Sequence, residues 1–148
     1  MDLQQFLQLF NPLPGNHYLQ VCTCEDKITT ALSSLLEGVE GKLNIAIYNE
    51  DNLNFSQPFR AMPRDHDMVI IKDVFSKHEN PNMILKLAYL TLANTANIII
   101  MEKKGVMDIE ATKALLEEFE FRAPNEIDIV EGYDLIMGKK MHMWGNGL

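Results

Sequence analysis

Cys22, Thr23 and Cys24 stand together, followed at once by Glu25 and Asp26. Two thiols one residue apart could ligate a metal or exchange electrons, but common metal and thioredoxin-type pairs use a two-residue gap. Small residues packed at a strand end account for the pattern more simply. Lys72, Asp73 and His78 form a second group. They follow a strongly apolar run, and α/β sheets bind ligands beyond the carboxyl ends of their strands. Asp73 and His78 are therefore the catalytic or substrate-binding candidates, weighed against helix capping or a solvated loop for His78. Glu50 and Asp51 place carboxylates after another apolar run. Met141, His142 and Met143 set an imidazole between two thioethers beside Trp144, which is copper- or haem-ligand chemistry. Packing of the tail or a subunit contact is the better account of that group. Glu102, Lys103 and Lys104 read as a solvated strand end.

The elements that must position these groups are legible from periodicity. Leu3, Phe6, Leu7 and Phe10 recur at helical spacing, so residues 2–10 read as a short helix, ended by Pro12, Pro14 and Gly15. HYLQVC, residues 17–22, reads as a strand. Thr23 and Asp26 have capping-box spacing before a stripe of Ile28, Ala31, Leu32, Leu35 and Leu36 that stops near Gly38 and Gly41. LNIAIY, residues 43–48, is a second strand. Residues 49–66 carry no helical stripe, with an edge strand over 55–59 as the one candidate. DMVIIKDV, residues 67–74, is a buried strand, and Pro81 opens the helix that follows. NIIIM, residues 97–101, is another buried strand, and residues 109–119 form a helix. Residues 126–130 and 133–137 alternate around Glu131-Gly132 and predict an antiparallel hairpin. Alternating strands and helices predict one α/β domain over 1–148, with a Rossmann-like, mostly parallel sheet and an antiparallel carboxyl-terminal hairpin.

Composition narrows the function classes. Apolar residues make up 47% of the chain, enough for a packed core, and the formal net charge is -8. An acidic surface repels phosphate backbones, which argues against nucleic acid. No apolar run approaches the roughly 20 residues that span a bilayer, and the first ten residues lack the basic start of a secretory signal, so no membrane partner is expected. Two cysteines with no disulfide spacing fit a reducing, cytoplasmic setting.

The element order, with residues 60–81, RAMPRDHDMVIIKDVFSKHENP, resembles the class I S-adenosylmethionine-dependent methyltransferase family. Met62-Pro63 stands where that family has Leu-Pro, Asp67 where an Asp starts the fourth strand, and His78 and Pro81 where a His and a Pro follow it. Thr95-Ala96 replaces a common Gly-Gly before the fifth strand, Phe119–Phe121 falls where Gly-Phe leads into the sixth, and Lys139-Lys140 matches the basic end of the seventh. The likeness covers residues 12–140 as topology and is specific in 60–104. LPGNHYLQVCTCED aligns with the first strand and its glycine-rich turn, typically Leu-Asp-Val-Gly-Cys-Gly. Gln20 stands at the acidic place, and Cys22 and Cys24 at the two glycine places. Glycine there lets the backbone turn tightly and approach the cofactor, so two Cβ atoms narrow the turn. The 18 residues 49–66 are too few for the family's usual helix, third strand and further helix.

The resemblance implies S-adenosylmethionine as cofactor, held by Cys22, Thr23, Cys24 and Glu50, the last by the ribose hydroxyls. It implies in-line methyl transfer to a small-molecule or protein substrate near Asp73 and His78. The departures imply the alternative, a non-catalytic binding or regulatory protein on the same scaffold. If the two cysteines obstruct the turn, glycine at positions 22 and 24 should improve binding of S-adenosylhomocysteine. A shortened edge leaves Leu43, Ile45 and Ile47 short of cover, to be met by the N-terminal segment or by a homodimer.

Overall fold

The computed structural model describes residues 3–48 and 62–141. The elements are α1 (Gln4–Leu7), β1 (His17–Cys22), α2 (Lys27–Glu37), β2 (Lys42–Ile47), β3 (His66–Lys72), α3 (Pro81–Thr91), β4 (Leu92–Lys103), α4 (Ile109–Glu118), β5 (Phe121–Ile127) and β6 (Tyr133–Lys140). The described strands form one sheet in the order β2-β1-β3-β4-β6-β5. β2, β1, β3 and β4 are parallel, and β6 runs antiparallel between β4 and β5. The sheet is therefore mostly parallel and Rossmann-like, with an antiparallel carboxyl-terminal hairpin, as the element order predicts.

Each long helix starts on a residue whose side chain meets an orphan backbone N–H. Asp26 caps α2, accepting from the backbone of Ile28 and Thr29, while the Thr29 hydroxyl accepts from the Asp26 N–H. The capping box is thus Asp26 with Thr29, one turn later than the expected Thr23 with Asp26. Asn80 caps α3, with Pro81 in the first turn, and Asp108 caps α4. Lys140 closes the other end of α3. Its ammonium donates to the carbonyls of Tyr89 at 2.6 Å and Leu92 at 2.8 Å, where the helix dipole favours a cation. Gly41 is needed where it stands, because a Cβ would lie 2.5 Å from the Asn16 carbonyl oxygen.

The apolar runs of β3 and β4 lack alternation because both sheet faces are buried. Leu19, Val21, Val69, Ile71, Ile98 and Ile100 meet α3 and α4 on one face. Tyr18, Met68, Ile70, Ile99, Met101 and Leu135 meet α2 and the N-terminal segment on the other. In that segment the Phe6 and Phe10 rings stack edge-on at 5.0 Å, and Phe10 lies 5.7 Å from Tyr18. The segment packs with α2 on that face. Leu43 is half-buried against the α2 cluster, while Ile45 and Ile47 are 36% and 42% exposed.

Three boundaries differ from the sequence expectation. Helical structure in α1 spans Gln4–Leu7 rather than 2–10, since Phe10 is recruited to the core by the turn toward Pro12. The hairpin pairs Phe121–Ile127 with Tyr133–Lys140 across residues 128–132, rather than 126–130 with 133–137 across a two-residue turn. Pairing to β4 extends β6 to Lys139, and pairing to β5 carries it to Lys140. β4 starts at Leu92, directly after α3, with residues 93–96 bulged between the His66–Leu92 and Met68–Asn97 pairs. The proposed edge strand over 55–59 lies outside the described residues.

Candidate functional site

The carboxyl ends of β1 and β3 lie side by side beneath the start of α2, which is where a parallel sheet offers a ligand crevice. Lys72 ends β3 and fills this place. Its ammonium lies 2.9 Å from Asp26 Oδ2 and 2.9 Å from Asp73 Oδ2, with the Lys72 side chain only 9% exposed. It also sits 4.8 Å from the centre of the Tyr133 ring, whose hydroxyl donates to Asp73 Oδ2 at 3.3 Å. Asp26 divides its carboxylate, Oδ1 capping α2 and Oδ2 meeting Lys72. Burial on its own would pull the Lys72 pKa down. Its bonds to Asp73 and Asp26 outweigh that and hold it above the ordinary lysine range, so the ammonium stays charged.

Gln20 and Cys22 lie on the same face of β1 as Tyr18, under α2. Gln20 is fully buried, and neither its amide nitrogen nor its amide oxygen has a hydrogen-bond partner. Burial, then the nearby Asp26 and Cys24, push the Cys22 thiol up to about 11, so it is an inert thiol at neutral pH. Cys24 is exposed, and Thr23 is half-buried between the two. No residue from Cys22 to Asp26 has a positive φ. Other places where the resembled family carries glycine behave differently. Thr95 has φ 73° and Glu120 has φ 70°, both left-handed.

His78 turns to the opposite face. Its Nδ1 accepts from the Asn80 backbone N–H at 2.9 Å, and its Nε2 is buried without a partner. The Tyr48 ring meets it edge-on at 6.5 Å, and the Tyr48 hydroxyl is likewise buried and unpartnered. Burial lowers the His78 pKa and raises that of Tyr48, so both are neutral near pH 7. Glu102 is also buried. Its Oε1 accepts from the Ser76 backbone N–H at 3.3 Å, its Oε2 has no partner, and burial raises its pKa. It is not the solvated strand end that its charge suggests.

The structure thus joins Asp73 to Lys72 and separates both from His78, which packs on the α3 side. Glu50 and the Met141–Trp144 group beyond Met141 lie outside the described residues. Among the described residues no group of three or more His, Cys, Asp and Glu side chains could hold a metal ion, and no helix is long and apolar enough to cross a membrane. Sequence reasoning passed over Asp26 and Tyr133 as site residues. Asp26 had a signal, its place before the α2 stripe with Thr29 three residues on. Tyr133 had none, because it reaches Asp73 across 60 residues of chain.

No protein-family model matches the chain, and no curated protein matches it. Solved structures do. A SAM-dependent methyltransferase from Aquifex aeolicus superposes with a TM-score of 0.72 at 13% identity, over 95% of this chain and 90% of the other. A methyltransferase from Pyrococcus furiosus gives 0.62 at 10% identity, over 93% and 81%. Phosphoethanolamine N-methyltransferase 2 of Haemonchus contortus gives 0.66 at 6% identity, over 93% of this chain but 52% of that one. At such identities the likeness is one of architecture, and the architecture is specific: this chain has the class I S-adenosylmethionine-dependent methyltransferase fold.

Proposed function

We propose that this chain is a non-catalytic binding or regulatory protein that keeps the methyltransferase scaffold with its cofactor crevice closed. The observation that carries this reading is the Lys72 ammonium, bridging Asp26 and Asp73 where β1 turns into α2. S-adenosylmethionine brings a charged ammonium of its own, which the family meets with an acid at the place of Gln20. Here that place is a buried neutral amide, and Asp26 and Asp73 at the ends of β1 and β3 are already paired to Lys72. The chemistry of the donor set does not fit the cofactor. The turn itself points the same way, since Cys22 and Cys24 bring side chains to a backbone with no left-handed residue. Glycine at 22 and 24 would relieve no strained φ and would leave the Lys72 bridge in place, so Lys72 is the better target.

Calorimetric titration with S-adenosylhomocysteine tests the reading. The expected result is no saturable heat up to high micromolar ligand. Low-micromolar binding would instead favour a small methyltransferase, with Asp73 and His78 as the residues to probe for a methyl acceptor.

The exposed Ile45 supports a homodimer with the β2 edge in the contact. Light scattering that gives a monomer mass at high concentration would remove it.

A further inference from the structure

Lys72 is held as a bound amine would be held. Two carboxylate oxygens each lie 2.9 Å from its nitrogen, and an aromatic face lies 4.8 Å away. Charge-assisted hydrogen bonds and a ring face are the parts from which receptors for primary ammonium ions are made. The parts come from the α2 cap, the turn after β3 and the start of β6. Each is anchored without Lys72. Asp26 accepts the backbone N–H groups of Ile28 and Thr29, the Asp73 N–H donates to the Met101 carbonyl at 3.0 Å, and the Tyr133 N–H donates to the Val130 carbonyl at 3.1 Å. Asp73 also holds φ 60°, a left-handed backbone that aims its carboxylate back over β3.

We propose that Asp26, Asp73 and Tyr133 form a binding cage for a primary alkylammonium ion, and that Lys72 is its internal ligand, closing the crevice between β1 and β3 by occupying it. The proposal rests on the reading that this crevice is closed. It adds that the closure is occupancy of a receptor rather than a simple structural salt bridge.

Lys72→Ala removes three methylenes and the ammonium beyond Cβ, which are the atoms of n-propylammonium. Thermal melts of wild type and Lys72→Ala in n-propylammonium chloride are compared with tetramethylammonium chloride at matched ionic strength. A cage predicts a saturable rise of roughly 3 °C in the variant alone. Asp73→Asn in the same background should abolish it. An equal rise in both proteins, or none in a folded Lys72→Ala, overturns the cage. If Lys72→Ala does not fold, nitrogen-15 spectra of the wild type decide. A caged ammonium exchanges slowly with water and gives a resolved signal that shifts in Asp73→Asn; absence of that signal overturns the proposal. Propylammonium rescue in the variant together with S-adenosylhomocysteine binding by wild type would sink the functional reading and leave the cage standing. Neither rescue nor cofactor binding would do the reverse.

Discussion

The turn from β1 into α2, the bulge in β4 and the turn entering β5 all stand where class I methyltransferases commonly carry glycine, and this chain has another residue at each. At Thr95 and Glu120 the backbone remains left-handed, at φ 73° and 70°. At Cys22 and Cys24 it does not. Thr95 lies in the bulge that brings α3 into β4, and Glu120 lies between α4 and β5, so sheet pairing on the far side dictates the turn. A side chain there imposes strain of roughly 1 kcal/mol, which the pairing overrides. The β1 turn has no such dictation. There the glycine serves close approach of a ligand, and strain in the backbone cannot restore the space a Cβ takes. In this chain Lys72 and Asp26 meet at that turn. Where sheet pairing dictates the turn the backbone is left-handed without glycine, and at the β1 turn it is not.

The largest expected effect breaks the Lys72 bridge at the β1 turn. Lys72→Ala leaves Asp26 and Asp73 facing each other half-buried, which should cost about 3 kcal/mol in urea denaturation. A loss under about 1 kcal/mol, typical of exposed pairs, would mean that the turn is not organised by this bridge. Next comes Gln20, whose buried amide has no partner. Replacing it by the similar-sized leucine should stabilise the protein by about 1–2 kcal/mol, because desolvation of the amide is no longer incurred. A Gln20→Leu protein less stable than wild type would show that the amide is satisfied in solution.

The sharpest form of the comparison is a difference in sign. Thr95→Gly should stabilise by about 1 kcal/mol, since an exposed β-branched residue leaves the left-handed region. Cys24→Gly should destabilise by about 0.5 kcal/mol, since it adds unfolded-chain freedom where no positive φ is relieved. Equal signs in paired chemical melts would erase the distinction between the two kinds of turn.

The smallest effect lies at the opposite end of the sheet. His66 is buried, with one ring nitrogen 2.8 Å from the Asn44 amide and the other 2.8 Å from the Thr91 hydroxyl. Burial lowers its pKa below the ordinary 6.5, against a raising effect of Asp65. The unfolded chain therefore takes up a proton before the folded one does. Its stabilisation is complete above about pH 6.5 and declines as pH falls through that value toward the folded pKa. Glu102, raised by burial, has the opposite sign and loses stability as pH rises through its folded pKa. Melts at pH 7.5 and 5.5 should show wild type weakening more than His66→Gln; parallel curves would remove His66 as the cause.

The elements themselves were legible in the sequence because their signals are local. Apolar stripes at helical spacing marked α2 and α4, the unbroken runs MVIIK and NIIIM marked strands buried on both faces, and Pro81 marked the start of α3. From alternation alone the parallel sheet and closing hairpin followed; the doubt over the cofactor turn came from setting Gln20, Cys22 and Cys24 against the resembled family's motif, which needs no coordinates. Tertiary structure alone decided that β6 enters between β4 and β5, because strand pairing joins segments whose sequences carry no address for one another. It alone set Asp73 against Lys72 and His78 against Tyr48. It alone gave Lys72 its partners. A lysine after four apolar residues reads as a strand end reaching water. What keeps it buried is a helix cap from before it and a tyrosine from far beyond it, and only the folded chain brings those two charges and that ring close enough to offset its desolvation.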